Sequence, residues 1–172
     1  MKSDVVPVQV AGISPVDSQG VAIILGNAEK VFVITVDAYV GRAIAMSLRG
    51  ERNERPLTHE LIGMIFDAFD VTIDRVVIND LRNNTYFARL ILKAENEVHK
   101  KIIELDARPS DCLAIALQAG RPIFVSREVW DEVDDASELL EKLKQAQKRD
   151  KPKPGAAPDI EPPEEPDFGE EK

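Results

Sequence analysis

The chain has 172 residues, with 31 Asp and Glu against 22 Lys and Arg, a formal charge of -9. That length allows one domain with an appendage, and the acidity excludes a polybasic coat for nucleic acid or for a membrane surface. The charge is uneven: residues 150–172 hold eight acids and three lysines, a net of -5, together with six of the 11 prolines, so the remaining residues carry -4.

The single cysteine, Cys112, excludes an intrachain disulfide framework and a multi-cysteine zinc site. It stands in the apolar run 112–117 and reads as a small core residue. The first residues lack a basic segment followed by an apolar one, so no signal peptide is expected. No apolar run approaches the roughly 20 residues of a membrane helix. The expected setting is cytoplasmic, with no membrane partner.

In chain order, residues 5–13 read as a strand, with Pro7 favouring an edge position. After a turn at 17–20, strands at 21–25 and 30–36 are close enough for an antiparallel hairpin. Asp37 is a candidate cap for a helix over 38–48, which Gly50 stops. Val40, Ala43, Ile44, Ser47 and Leu48 form its apolar or small face. A polar loop then carries Arg49, Arg52 and Arg55. Thr58 is the expected cap of a second helix over 58–69, with a staple between Leu57 and Ile62. Its expected buried stripe is Leu61, Ile62, Ile65, Phe66 and Phe69.

Strands at 74–79, 85–93 and about 98–106 form a meander, with turns at 81–84 and 95–97. Residues 110–119 are apolar nearly all round and predict a central helix. Residues 122–125 make a short last strand, and 136–149 a separate solvated helix with a Glu138/Lys142 pair. The fold class is α+β: one compact domain over 1–134, a mixed or antiparallel sheet, about three packed helices, a short helix over 135–149 and a disordered acidic, proline-rich tail over 150–172.

Two segments echo one another. Arg55-Pro56-Leu57-Thr58-His59-Glu60 and Arg108-Pro109-Ser110-Asp111 each set Arg-Pro before a helix whose first turn holds a hydroxyl and an acid. Capping explains the hydroxyls, acids and prolines. The arginines are left over, and an arginine beside a helix N-terminus suits a phosphate, because exposed N–H groups and a guanidinium fork converge there. If the two helix starts adjoin, they make a double anion site. His59, in a first helical turn, reads as a surface or capping residue or as a general base or metal ligand. His99 reads as solvated. Asp106 closes a strand and Asp111 opens a helix; such carboxylates hold Mg²⁺ or Mn²⁺ in phosphoryl-transfer sites, or form turns and ion pairs, here Asp106 with Arg108. Asp80 is a weaker candidate. Arg42, Arg49, Arg52 and Arg55 form a local basic face or plain surface. A Walker loop, G-x-G-x-x-G, G-x-S-x-G and a zinc-protease motif are absent.

The blocks Arg55 to Leu61, Asn84-Thr85-Tyr86-Phe87-Ala88, Asp106 to Asp111 and Pro122-Ile123-Phe124-Val125 resemble, in order and spacing, the bifunctional nuclease (BFN) domain family over about residues 5–130. Cys112 departs from the small residue usual there. The resemblance implies a compact α+β fold, often oligomeric, and a nuclease hydrolysing phosphodiester bonds of DNA or RNA. The matching residues are Arg55, Thr58, His59, Glu60, Asp106, Arg108, Ser110 and Asp111. The roles we expect are His59, Asp106 and Asp111 in catalysis; Arg55, Thr58, Arg108 and Ser110 on substrate; and Glu60, Asp106 and Asp111 on a Mg²⁺ or Mn²⁺ ion. The alternative is a non-catalytic anion- or nucleotide-binding domain, or an oligomeric assembly module.

Overall fold

A computed structural model of the chain describes residues 4–16, 20–51, 53–95 and 100–149. The order is β1 (Val5–Pro15), β2 (Gly20–Gly26), β3 (Val31–Asp37), α1 (Ala38–Arg49), α2 (Thr58–Ala68), β4 (Val71–Arg82), β5 (Thr85–Glu95), β6 (Lys100–Ala107), α3 (Pro109–Gln118), β7 (Ile123–Ser126), α4 (Arg127–Glu132) and α5 (Ser137–Arg149). This is the α+β class. The expected turns at 17–20 and 95–97, Arg52, His99 and the acidic tail lie wholly or partly outside the described residues.

The strands form one sheet in the order β3-β2-β1-β7-β4-β5-β6. Each neighbouring pair is antiparallel except β4 with β7, so the sheet is mixed. β1 holds the halves together. Val5–Val8 pair with β7, residues from Gln9 onward pair with β2, and a bulge falls between Val10 and Gly12. Pro7 therefore sits in the stretch that pairs with β7 alone, which is where a residue without an N–H fits.

Local chemistry sets several boundaries. Asp37 Oδ1 accepts from the Val40 N–H at 3.0 Å and opens α1. Gly50, at φ 67°, closes it. Asn83 and Asn84 take φ values of 49° and 59° between the paired residues Arg82 and Thr85, the left-handed pair of a tight hairpin turn. The start of α2 departs from expectation. Leu57, not Thr58, is the cap residue, because Glu60 accepts from the Leu57 N–H at 2.7 Å. Thr58 is the first helical residue and is exposed, so Leu57 stands at the cap itself rather than one position before it, where a staple residue stands.

The core gathers Ile23 and Leu25 of β2, Phe32 and Ile34 of β3, Ile44 of α1, Val76 and Ile78 of β4, Leu90 of β5 and the Cys112–Ala116 run of α3. Burying a Val, Leu, Ile or Phe side chain stabilises by roughly 1.5–3 kcal/mol. Cys112 is fully buried, as expected, and burial pushes its thiol up to about 12, helped by the charges of Asp111 and Asp106. Sequence periodicity expects three packed helices; α4 is an addition, and its Trp130 meets Phe32 edge-on at 6.2 Å between ring centres. α5 lies against β1 and β3, and Leu140 reaches Gly12.

The expected buried stripe of α2 is only half buried. Ile62 and Phe66 pack on the core, whereas Leu61, Ile65 and Phe69 are exposed, as are Leu57 and Met64. Two apolar faces are present on one helix, and α3 and β4 cover one of them.

Candidate active site

α2 and α3 start side by side. His59 is the second residue of α2 and Asp111 the third of α3, and His59 Nε2 lies 3.1 Å from Asp111 Oδ1. Arg108, the cap residue of α3, closes on the same carboxylate with two bonds, Nε to Oδ2 at 2.8 Å and Nη2 to Oδ1 at 3.2 Å. A bidentate guanidinium fork fixes a carboxylate in plane and register. Gly63 of α2 faces Gln118 of α3: a Cβ there would stand 3.2 Å from Nε2 at the end of that side chain.

The electrostatics follow from this geometry. Burial pushes the Asp111 carboxyl up, but hydrogen bonds from Arg108 and His59, with their charges, outweigh it and hold the group below the usual range. The carboxylate hydrogen bond raises the Arg108 guanidinium further, and Asp37 adds to that from the start of α1. His59 is nearly covered, with 14% of its side chain exposed, whereas Arg108 is 69% exposed. The result is a chain from solvent inward: guanidinium, carboxylate, imidazole. A small cavity of about 20 Å³ lies against His59, lined also by Ser47, Asn53, Glu60 and Gln118. That is room for about one water.

The other expected site residues fall outside this chain. Arg55 and Thr58 are exposed at the start of α2. Glu60 bonds the Leu57 N–H. Ser110 is buried in the first turn of α3 and lines the large cleft described below. Asp106 is exposed on β6, opposite Arg89, and the Arg108 partner is Asp111 rather than Asp106. Asp80 pairs with Arg82 at 2.5 Å. In the polar loop, Arg49 pairs with Glu51 at 2.6 Å. Among the described residues no group of three or more His, Cys, Asp or Glu side chains is arranged to hold a metal ion. Glu60, Asp106 and Asp111 are thus not assembled as a ligand set. Asp37, read from sequence only as a helix cap, also contributes to the Arg108 environment. Its adjacency to a residue 71 positions away has no sequence signal.

An α+β domain with two adjoining helix starts, joined through Arg108, Asp111 and His59, defines the class. The chain belongs to the bifunctional nuclease domain family, whose family model matches residues 23–138. It is similar to two curated proteins of Mycobacterium tuberculosis, "Uncharacterized protein MT1877" from strain CDC 1551 / Oshkosh and "Uncharacterized protein Rv1829" from strain H37Rv. Each is 34% identical over 125 residues, which is 71% of this chain and 72% of the relative. No helix among the described residues is long and apolar enough to cross a membrane.

Proposed function

We propose that the protein is a nuclease that hydrolyses phosphodiester bonds of DNA or RNA at the adjoining starts of α2 and α3. The observation that carries this reading is the His59–Asp111–Arg108 chain. Asp111 holds His59 through Nε2, which leaves Nδ1 as the ring's other nitrogen. In this scheme His59 takes a proton from an attacking water as the water oxygen bonds to phosphorus. The P–O bond to the departing sugar oxygen breaks, and the imidazolium returns the proton to that oxygen. Arg108 and Arg55, with the free N–H groups of two helix starts, offset the charge on the phosphoryl oxygens. Asp111 is a positioning residue. Thr58 and Ser110 stand in the same first turns and support substrate contact there. No step requires a divalent ion, so cleavage is expected in EDTA as well as with Mg²⁺ or Mn²⁺. Single-stranded RNA and plasmid DNA incubated with wild-type protein and with His59→Ala test the reading.

A second reading is favoured by one observation, the outward stripe Leu57, Leu61, Met64, Ile65 and Phe69. These positions recur at helical spacing, so they form one face. In this reading α2 packs against α2 of a second copy and the domain assembles as a homo-oligomer. An isologous contact needs only a self-complementary patch. Sedimentation of wild type against Ile65→Glu tests it.

A further inference from the structure

A cleft larger than the one at His59 adjoins the candidate site, sharing Arg108 and Ser110 with it but not His59. It has a volume of about 810 Å³ and runs along β3, between that strand, the tip of the β4–β5 hairpin, the start of α3 and the segment after α4. Such a volume is typical of a ligand site.

One wall of this cleft is an unpaired sheet edge. β3 pairs with β2 and ends the strand order, so among the described residues no strand lies on its other side. The direction of its backbone groups follows from two bonds. The Asn27 N–H donates to Lys30 O at 3.0 Å across the β2–β3 turn, so the Lys30 carbonyl points toward β2. The Ala136 N–H donates to Val31 O at 2.8 Å, so Val31 points the other way. In an antiparallel ladder this direction alternates by residue. Phe32, Ile34 and Val36 therefore bond to β2. Val33 and Thr35 present both N–H and C=O to the cleft that they line. The chain itself begins the pairing: residues 135–136 cover the edge at Val31 and then turn into α5.

The charges lining the cleft select what could continue that pairing. Asp37, Glu132 and Asp134 are acidic, and among the described lining residues Arg108 alone is basic. Arg108, paired with Asp111, stands where this cleft meets the candidate active site, so its charge serves that site and the stretch along β3 is left acidic. The hydroxyl of Tyr86 feels this field: burial raises its pKa, and the charges of Asp134 and Glu132 raise it further. A polynucleotide would bring phosphates against these carboxylates. The acidic, proline-rich residues 150–172 would bring like charge and few N–H donors. A cationic extended chain meets both the edge and the charge.

We propose that this cleft binds an extended peptide of a partner protein, carrying lysine or arginine, as an added strand on the Val33 and Thr35 edge of β3. Main-chain bonds to that edge supply affinity, and the pockets flanking it supply the preference for a cation. Glu132 and Asp134 receive the cationic side chain.

The test uses the full chain and a short labelled peptide of alternating valine and lysine. Binding is measured by fluorescence anisotropy, and amide hydrogen exchange is followed at Val33 and Thr35. The peptide is expected to bind and to slow both amides. The Glu132→Gln, Asp134→Asn double variant, which changes exposed side chains, is expected to bind roughly tenfold more weakly. A peptide N-methylated at every residue, which has no N–H to pair through either edge, is expected not to bind. The proposal is overturned if the N-methylated or a valine–glutamate peptide binds equally well, or if no peptide binding is seen. Protection of Val33 and Thr35 by a single-stranded oligonucleotide would overturn it in favour of nucleic acid. Protection that grows with protein concentration alone would assign the edge to a second copy. Faster exchange at both amides after removal of residues 150–172 would assign it to the tail.

Discussion

His59 Nε2 and Asp111 Oδ1 lie 3.1 Å apart although 52 positions separate them in the chain. The contact joins the first turns of two helices, and Arg108 completes it from the solvent side. Two short segments that look alike in sequence are therefore parts of one polar group.

The first prediction concerns how the three side chains divide the work. His59→Ala is expected to lower kcat about 10²–10⁴-fold, the range for losing a general acid–base. Asp111→Asn should lower kcat less and shift the pH–rate profile, because it acts through the imidazole. The double variant should be little worse than His59→Ala alone, since groups acting as a unit are non-additive. Single-turnover cleavage of a labelled oligonucleotide at several pH values measures all three.

Acid stability should report Asp111. Its folded pKa lies below the ordinary carboxylate value of 3.8. Such a group contributes stability that is present above its unfolded pKa and is lost as pH falls through the folded value. Asp74, held low chiefly by its hydrogen bond to Lys93, acts with the same sign. Urea midpoints from about neutral pH to about pH 3 should therefore fall less steeply for Asp111→Asn than for wild type. Equal slopes would show that the Arg108 and His59 contacts do not hold the carboxylate in solution.

Gly41→Ala should destabilise, although alanine is the better helix former by about 1 kcal/mol. A Cβ at position 41 would meet Val21 Cγ2 at 2.7 Å and Val21 Cβ at 2.8 Å. Overpacking costs about 1–3 kcal/mol, so a net loss of up to about 2 kcal/mol is expected. Chemical denaturation of the two proteins decides the sign.

Much of the fold is legible where its cause is local. Asp37 caps α1 and Gly50 ends it, and two asparagines turn β4 into β5, each through bonds or dihedrals within a few residues. Even the corrected start of α2 has a local cause, since Glu60 stands three residues after Leu57. The helical period of α2 shows apolar faces, but not which neighbour covers them. Only the sheet order and the placement of α3 leave Leu61, Ile65 and Phe69 outside. The candidate site divides in the same way. The types and spacing of Arg108 and Asp111 are visible in sequence, whereas the choice of Asp111 over Asp106 as the Arg108 partner depends on β6 carrying Asp106 away on an exposed edge.

The outward stripe on α2 yields a prediction about assembly. Ile65→Glu should reduce self-association at least tenfold by sedimentation equilibrium, with thermal unfolding of the monomer little changed, because Ile65 is exposed. An unchanged molecular mass would remove α2 from any interface.

The most direct measurement is cleavage of single-stranded RNA and plasmid DNA by the purified full chain, wild type beside His59→Ala, with Mg²⁺, with Mn²⁺ and with EDTA. Cleavage by wild type in every condition, lost in His59→Ala while folding is retained, is the expected result. Equal cleavage by a folded His59→Ala protein, or none by folded wild type on either substrate, would contradict a nuclease built on His59, Asp111 and Arg108.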